Sequence, residues 1–121
     1  MAKRAETLVA TWLEDRGYHI VERNARVGRL EIDIIAKENT TIVFCEVRAR
    51  RHARFMNPED SITPAKIQRL QTAARLWLCR HSGAQGYQMR FDVASVVFDC
   101  PEGRVVYFDN AFDGSSAGFM G

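Results

Sequence analysis

Long apolar stretches are missing from this sequence: its longest uninterrupted runs are four residues, such as Ile42 to Cys45, against the roughly 20 that a helix needs to cross a bilayer. No segment reads as a membrane-spanning helix, and no membrane partner is expected. Met1 to Arg16 carries charges at Lys3, Arg4, Glu6, Glu14 and Asp15 and lacks the apolar block and small-residue cleavage site of a secretory signal. A cytoplasmic address is therefore expected. Cysteine is scarce: Cys45, Cys79 and Cys100 are odd in number and widely spaced, which fits neither a disulfide framework nor a CxxC zinc site. His19, His52 and His81 have no HxxxH or HxH spacing, which argues against a histidine-based zinc site. Phosphate loops of the GxxxxGKS/T or GxGxxG kind are absent. An excess of one charge sign is lacking too, since 17 Lys and Arg against 15 Asp and Glu leave only +2.

What is there reads as one ordinary domain: 121 residues, 46% apolar and 26% charged. Ala5, Leu8, Val9, Trp12 and Leu13 fall at helical spacing within residues 2–16, and Gly17 is a natural stop. Tyr18 to Arg23 is a short strand candidate, followed by a turn-rich stretch with Asn24 and Gly28. Leu30 to Lys37 and Thr41 to Ala49 are richer in β-branched and aromatic residues, and the break between them suits a hairpin. Residues 50–62 read as an exposed loop. Thr63 and Pro64 then supply an N-cap and first-turn proline for a second helix, which keeps Ile67, Leu70, Ala73, Ala74, Trp77 and Leu78 on one face until about His81. Met89 to Phe98 and Arg104 to Phe108 are two further strands. The fold class is thus α/β, a mixed sheet of about five strands flanked by helices in the order αβββαββ, with a parallel crossover after the second helix. Residues 1–108 form the domain, and Asp109 to Gly121, rich in Gly, Ser and Ala, is a tail.

The chemistry lies on the second and third strands. Glu31 and Asp33 are two apart, as are Glu46 and Arg48, so each pair shares a sheet face. With Asn39-Thr40 as a two-residue loop, facing residue numbers sum to 79, which sets Asp33 opposite Glu46 and Glu31 opposite Arg48. Like charges across a ladder are unfavourable unless a cation neutralises them, and carboxylates with retained waters suit Mg²⁺ or Mn²⁺. Such an ion polarises a phosphodiester and activates water, while Arg48 would hold the developing phosphate charge. The plain alternative is a solvated salt-bridge ladder. Roughly two acid-x-base triplets arise by chance at this composition, and Glu14-Asp15-Arg16 and Glu102-Gly103-Arg104 also match. Only Glu46-Val47-Arg48 continues an apolar strand beside another acid-bearing one. Lys66, early in the second helix, is placed to reach a substrate phosphate. Arg50, Arg51, His52 and Arg54, with no acid among them, suit a nucleic-acid backbone, and Arg29 belongs to a second basic segment. Phe55 and Met56 would either stack on bases or cap the core. Trp12 and Trp77 read as core, and Asp92 as a sheet-edge acid or salt-bridge partner outside the site.

These stretches resemble the PD-(D/E)XK nuclease superfamily, with its restriction-endonuclease-like fold, and more closely the YraN-like family of small bacterial proteins. The resemblance rests on Ala5-Glu6, Arg16-Gly17-Tyr18, Glu31 to Ala36, Val43 to Arg50, Ile62 to Lys66 and Arg90 to Val93. It implies Asp33 and Glu46 as metal ligands with the Val47 carbonyl as a third protein contact, Glu6, Glu31 and Lys66 around them, and Mg²⁺ or Mn²⁺ as cofactor. Arg48 falls where the superfamily has a lysine, and Leu30 where the YraN-like pattern has glycine. Arginine stays charged and cannot act as a general base. The function that follows is metal-dependent hydrolysis of DNA phosphodiesters, in branched or damaged DNA among others. The alternatives are a nucleic-acid-binding module of the same fold without turnover, and a protein-interaction domain. Many nucleases of the superfamily work as dimers, but the sequence marks no interface.

Overall fold

The computed structural model describes residues 2–52, 62–84 and 86–112. Helix α1 (Ala2–Asp15) leads into strands β1 (His19–Val27), β2 (Leu30–Glu38) and β3 (Thr41–Arg50); helix α2 (Pro64–Arg80) and a short 3₁₀ turn (Ser82–Ala84) precede β4 (Gln88–Val97) and β5 (Arg104–Phe112). The strands form one sheet in the order β1-β2-β3-β4-β5, antiparallel except for the parallel pair β3 and β4. This is the mixed α/β sheet and the αβββαββ order that the sequence predicts, consistent with a restriction-endonuclease-like fold. No helix among the described residues is long and apolar enough to cross a membrane.

The helices cover opposite faces. Ala5, Val9, Ala10 and Leu13 of α1 bury against Ile34, Ala36, Val43, Cys45, Ala94 and Val96. Leu70, Ala73, Ala74 and Trp77 of α2 bury against Ile32, Ile35, Ile42, Phe44 and Phe91. Ile42 to Cys45 is apolar without alternation because β3 is central and covered on both sides, as parallel-paired strands usually are. Thr63 caps α2 as expected, its hydroxyl accepting from the Lys66 N–H at 3.2 Å.

Two strands run further than the sequence suggests. β1 continues through Asn24 to Val27, and β5 through Asn110 to Phe112, four residues past the end expected at Phe108. Both asparagines sit at positive φ, 52° and 51°, a conformation that Asn tolerates better than most residues. In sequence Asn24 reads as part of a turn and Asn110 as part of the tail, whereas in the sheet both are left-handed positions within a strand. The expected loop after Arg50 and the tail after Phe112 fall largely outside the described residues, as do Arg54, Phe55 and Met56.

Candidate functional site

The β2–β3 ladder keeps the expected sum of 79 through five pairs, from Glu38 opposite Thr41 to Ile34 opposite Cys45, and ends there. The next two expected pairs, Asp33 with Glu46 and Glu31 with Arg48, do not form. Ile32 packs under α2 although Ile34, two residues on, packs under α1. The alternation therefore breaks at Asp33, across from Asn24 with its positive φ on the neighbouring strand, where Arg23 pairs Ile34 and Ala25 pairs Ile32. The Asp33 side chain is freed to bond β3 directly: the Val47 backbone N–H donates to its Oδ2 at 2.9 Å.

Glu46 and Arg48 lie on the α2 face of β3, in step with Ile42 and Phe44. Glu46 is only 3% exposed. Lys66, in the first turn of α2, turns toward the sheet and places Nζ 2.7 Å from Glu46 Oε2, while Arg48 makes a looser pair with the same oxygen at 3.5 Å. Asp33 lies beside Glu46, and its carboxyl is pushed up to about 7 by burial first, then by the charge of Glu46, with Glu6 of α1 adding to the same effect. The Val47 N–H works in the opposite direction, favouring the charged form.

Of the residues singled out in the sequence, the fold thus gathers Asp33, Glu46, Arg48, Lys66 and Glu6 where β2 and β3 part. Glu31 stands aside, exposed on the wall of a cleft of about 200 Å³ that it shares with Arg29, Lys66 and Arg69. Val47 meets Asp33 through its N–H. Arg50 ends β3, half-buried, and Arg51 and His52 are exposed just beyond it. Among the described residues no cation pairs with Asp33, and no three Asp, Glu, His or Cys side chains form a ready-made metal cage. Two adjoining carboxylates, one of them uncompensated, form a donor set of the kind Mg²⁺ or Mn²⁺ accepts when waters and substrate oxygens complete the shell.

Residues 5–96 match the family described as Uncharacterised protein family UPF0102. The chain belongs to the UPF0102 family. Among its UPF0102 relatives, a protein of Anaeromyxobacter dehalogenans is 39% identical over 94% of this chain and 84% of its own length. One from Klebsiella pneumoniae is 46% identical over 74% of this chain and 71% of its own, and one from Nitrosococcus oceani is 39% identical over 91% and 89%. UPF0102 is the YraN family that the sequence resembles.

The sheet holds a second polar cluster, centred on Asp92, that the sequence reading undervalues. Asp92 is fully buried. It accepts from Arg90 at 2.9 and 2.8 Å, from the Tyr107 hydroxyl at 2.5 Å and from the Asn110 backbone N–H at 2.8 Å. Arg90 also donates to the Tyr18 hydroxyl at 2.7 Å. Burial and the neighbouring Cys45 and Asp92 hold the Tyr107 phenol protonated, its pKa raised far above the usual value. With these bonds the Asp92 carboxylate is satisfied, and it bridges the irregular β4–β5 pairing between Phe91 and Val93. One sequence signal could have revealed it: a charged residue in Phe91-Asp92-Val93-Ala94, a run too apolar for a sheet edge.

Proposed function

We propose that this chain is a metal-dependent hydrolase of DNA phosphodiesters, with Asp33 and Glu46 holding Mg²⁺ or Mn²⁺. The observation that carries this reading is the convergence of the two carboxylates, with Asp33 pushed up to about 7 and without a cation of its own among the described residues. When bound, the ion would polarise the phosphodiester and lower the pKa of a water. The chain's own residues have separable tasks. Lys66 neutralises Glu46, and its ammonium lies between the acids and the cleft lined by Arg29, Glu31 and Arg69, where a strand phosphate would enter. Arg48 supplies a permanent positive charge for the developing phosphorane. Nucleic acid, DNA in particular, is the partner of this reading.

The test is cleavage of labelled duplex, single-stranded and branched DNA with Mg²⁺ or Mn²⁺ by wild type, Asp33→Ala and Glu46→Ala. Wild type is expected to cut and both variants to lose activity by at least 100-fold. Equal activity in all three would assign the cutting to a contaminant. A second reading, a nucleic-acid-binding module without turnover, is favoured by Arg48 at the position of the motif lysine. Salt-sensitive binding without cleavage, not restored by Arg48→Lys, would select it.

A further inference from the structure

Two buried polar atoms on the site face of the sheet have no partner among the described residues. Ser95 is fully buried and its Oγ makes no hydrogen bond to them; Nε of Arg50 is likewise shut off from solvent and unbonded among them. Their positions are related. In the parallel β3–β4 pair, Arg48 faces Ser95 and Arg50 faces Val97. Phe44 and Phe91, also a facing pair, lie under α2, and strand alternation puts Glu46, Arg48, Arg50 and Ser95 on that same face. The orphaned atoms therefore flank Arg48 at the carboxyl ends of two parallel strands, where open α/β sheets take their ligands.

The chemistry of the orphans restricts what meets them. An arginine Nε–H is a donor with no acceptor capacity, and a serine hydroxyl adds a second donor. Arg48, 28% exposed, contributes a fixed positive charge. An occupant that accepts from two donors beside a guanidinium is an anionic oxygen, which such donors bind more strongly than they bind a water.

We propose that Arg48, Arg50 and Ser95 form a phosphate-binding pocket beside the carboxylate pair, taking a backbone phosphate of the nucleic-acid strand next to the one under attack. This rests on the reading of the chain as acting on nucleic acid, and it assigns Ser95 a positioning role. Arg50 changes from a surface cation that tracks the backbone to one wall of a defined pocket. The phosphate it holds fixes the register of the strand relative to Asp33 and Glu46, because Arg48 adjoins both the pocket and Glu46.

The experiment uses the whole chain in excess chelator, so that no cleavage enters the readout. A short DNA duplex and, separately, inorganic phosphate are titrated while the Arg50 Nε–H resonance is followed by NMR, and duplex affinity is measured against salt for wild type, Ser95→Ala, Arg50→Gln and Arg50→Lys. The duplex is expected to shift the Arg50 resonance saturably. Arg50→Gln should weaken duplex binding about tenfold and reduce the salt slope by about one. Ser95→Ala should weaken it several-fold at unchanged slope, and Arg50→Lys should restore the slope without restoring the affinity. The pocket is overturned if the resonance does not respond, or if Arg50→Lys binds as wild type, which would reduce Arg50 to a long-range charge. A response to inorganic phosphate with none to duplex would also overturn it, by making the site one for small anions. Failure of metal-dependent cleavage leaves this binding test intact, and failure of the pocket leaves the carboxylate site standing.

Discussion

Val47 donates its backbone N–H to Asp33 Oδ2 at 2.9 Å, just beyond the last paired position of the β2–β3 ladder, Ile34 with Cys45. A side-chain oxygen thus serves where the sheet no longer supplies a carbonyl, and the carboxylate is fixed at the point where the two strands part. This bond sets Asp33 beside Glu46 and favours its charged form, but burial and the Glu46 charge outweigh the single N–H.

The first prediction concerns pH. Burial and the charge of Glu46 push the Asp33 carboxyl up to about 7 in the folded chain, against about 4 when unfolded. Between those values the folded state binds the extra proton, so the stability this group contributes is fully present below about pH 4 and is lost as pH rises through 7. In chelator, wild type should lose on the order of a few kcal/mol from this group between pH 4 and 8. Asp33→Asn should lack that component of the slope. Urea unfolding across the range checks it, and parallel profiles for the two proteins would count against the assignment.

Divalent ions should act in the opposite sense. At about 100 times its dissociation constant, Mn²⁺ is expected to stabilise wild type by about 2.7 kcal/mol. Asp33→Asn and Glu46→Gln should abolish the calorimetric binding signal and the gain in melting temperature. An unchanged isotherm in Asp33→Asn would place the ion elsewhere.

Lys66 and Glu46 should behave as a coupled pair, given 2.7 Å between Nζ and Oε2 and a carboxylate that is 4% exposed. Lys66→Met strands that charge with only the looser Arg48 contact, at a cost of about 1–3 kcal/mol. Because Lys66 is 37% exposed, solvent screening favours the lower end. Adding Glu46→Gln should recover most of the loss. Additive losses in the double-mutant cycle would show the two to be uncoupled.

Asp92 is expected to matter for folding and not for cleavage. Asp92→Asn leaves the Arg90 guanidinium without its carboxylate and should destabilise by about 3–5 kcal/mol, read from the denaturant midpoint. The folded fraction of the variant should retain metal binding, and its loss there would tie the two polar clusters together.

Ser95→Ala should do the reverse. It removes a buried hydroxyl that has no partner among the described residues, and a gain of about 1 kcal/mol in unfolding free energy is expected. A loss of similar size would mean that the hydroxyl is satisfied in solution.

Much of this was legible because the local chemistry was decisive. Asn39-Thr40 fixed the hairpin register through five pairs, and Thr63-Pro64 fixed the start of α2 and with it the height of Lys66 above the sheet. The departures were set by tertiary context. Asn24 looks like a turn residue and Asn110 like part of a tail, and only neighbouring strands that accommodate a left-handed residue keep β1 and β5 going. The alternation breaks at Asp33, across from Asn24, so simple parity paired Glu31 with Arg48 and missed the direct bond to Val47. The convergence of Glu6 on Asp33 depends on how α1 docks, which no spacing within residues 2–16 encodes. Here it came only from the family resemblance.

Because α1 and α2 lie on opposite faces of the sheet, Glu6 and Lys66 approach the Asp33–Glu46 pair from two sides. At the gap between β2 and β3, Lys66 pairs with Glu46 from the α2 side while Glu6 brings a like charge toward Asp33 from the α1 side. With only one helix in place half of that constellation is missing, so the full charge pattern at the gap exists only when both outer layers are docked.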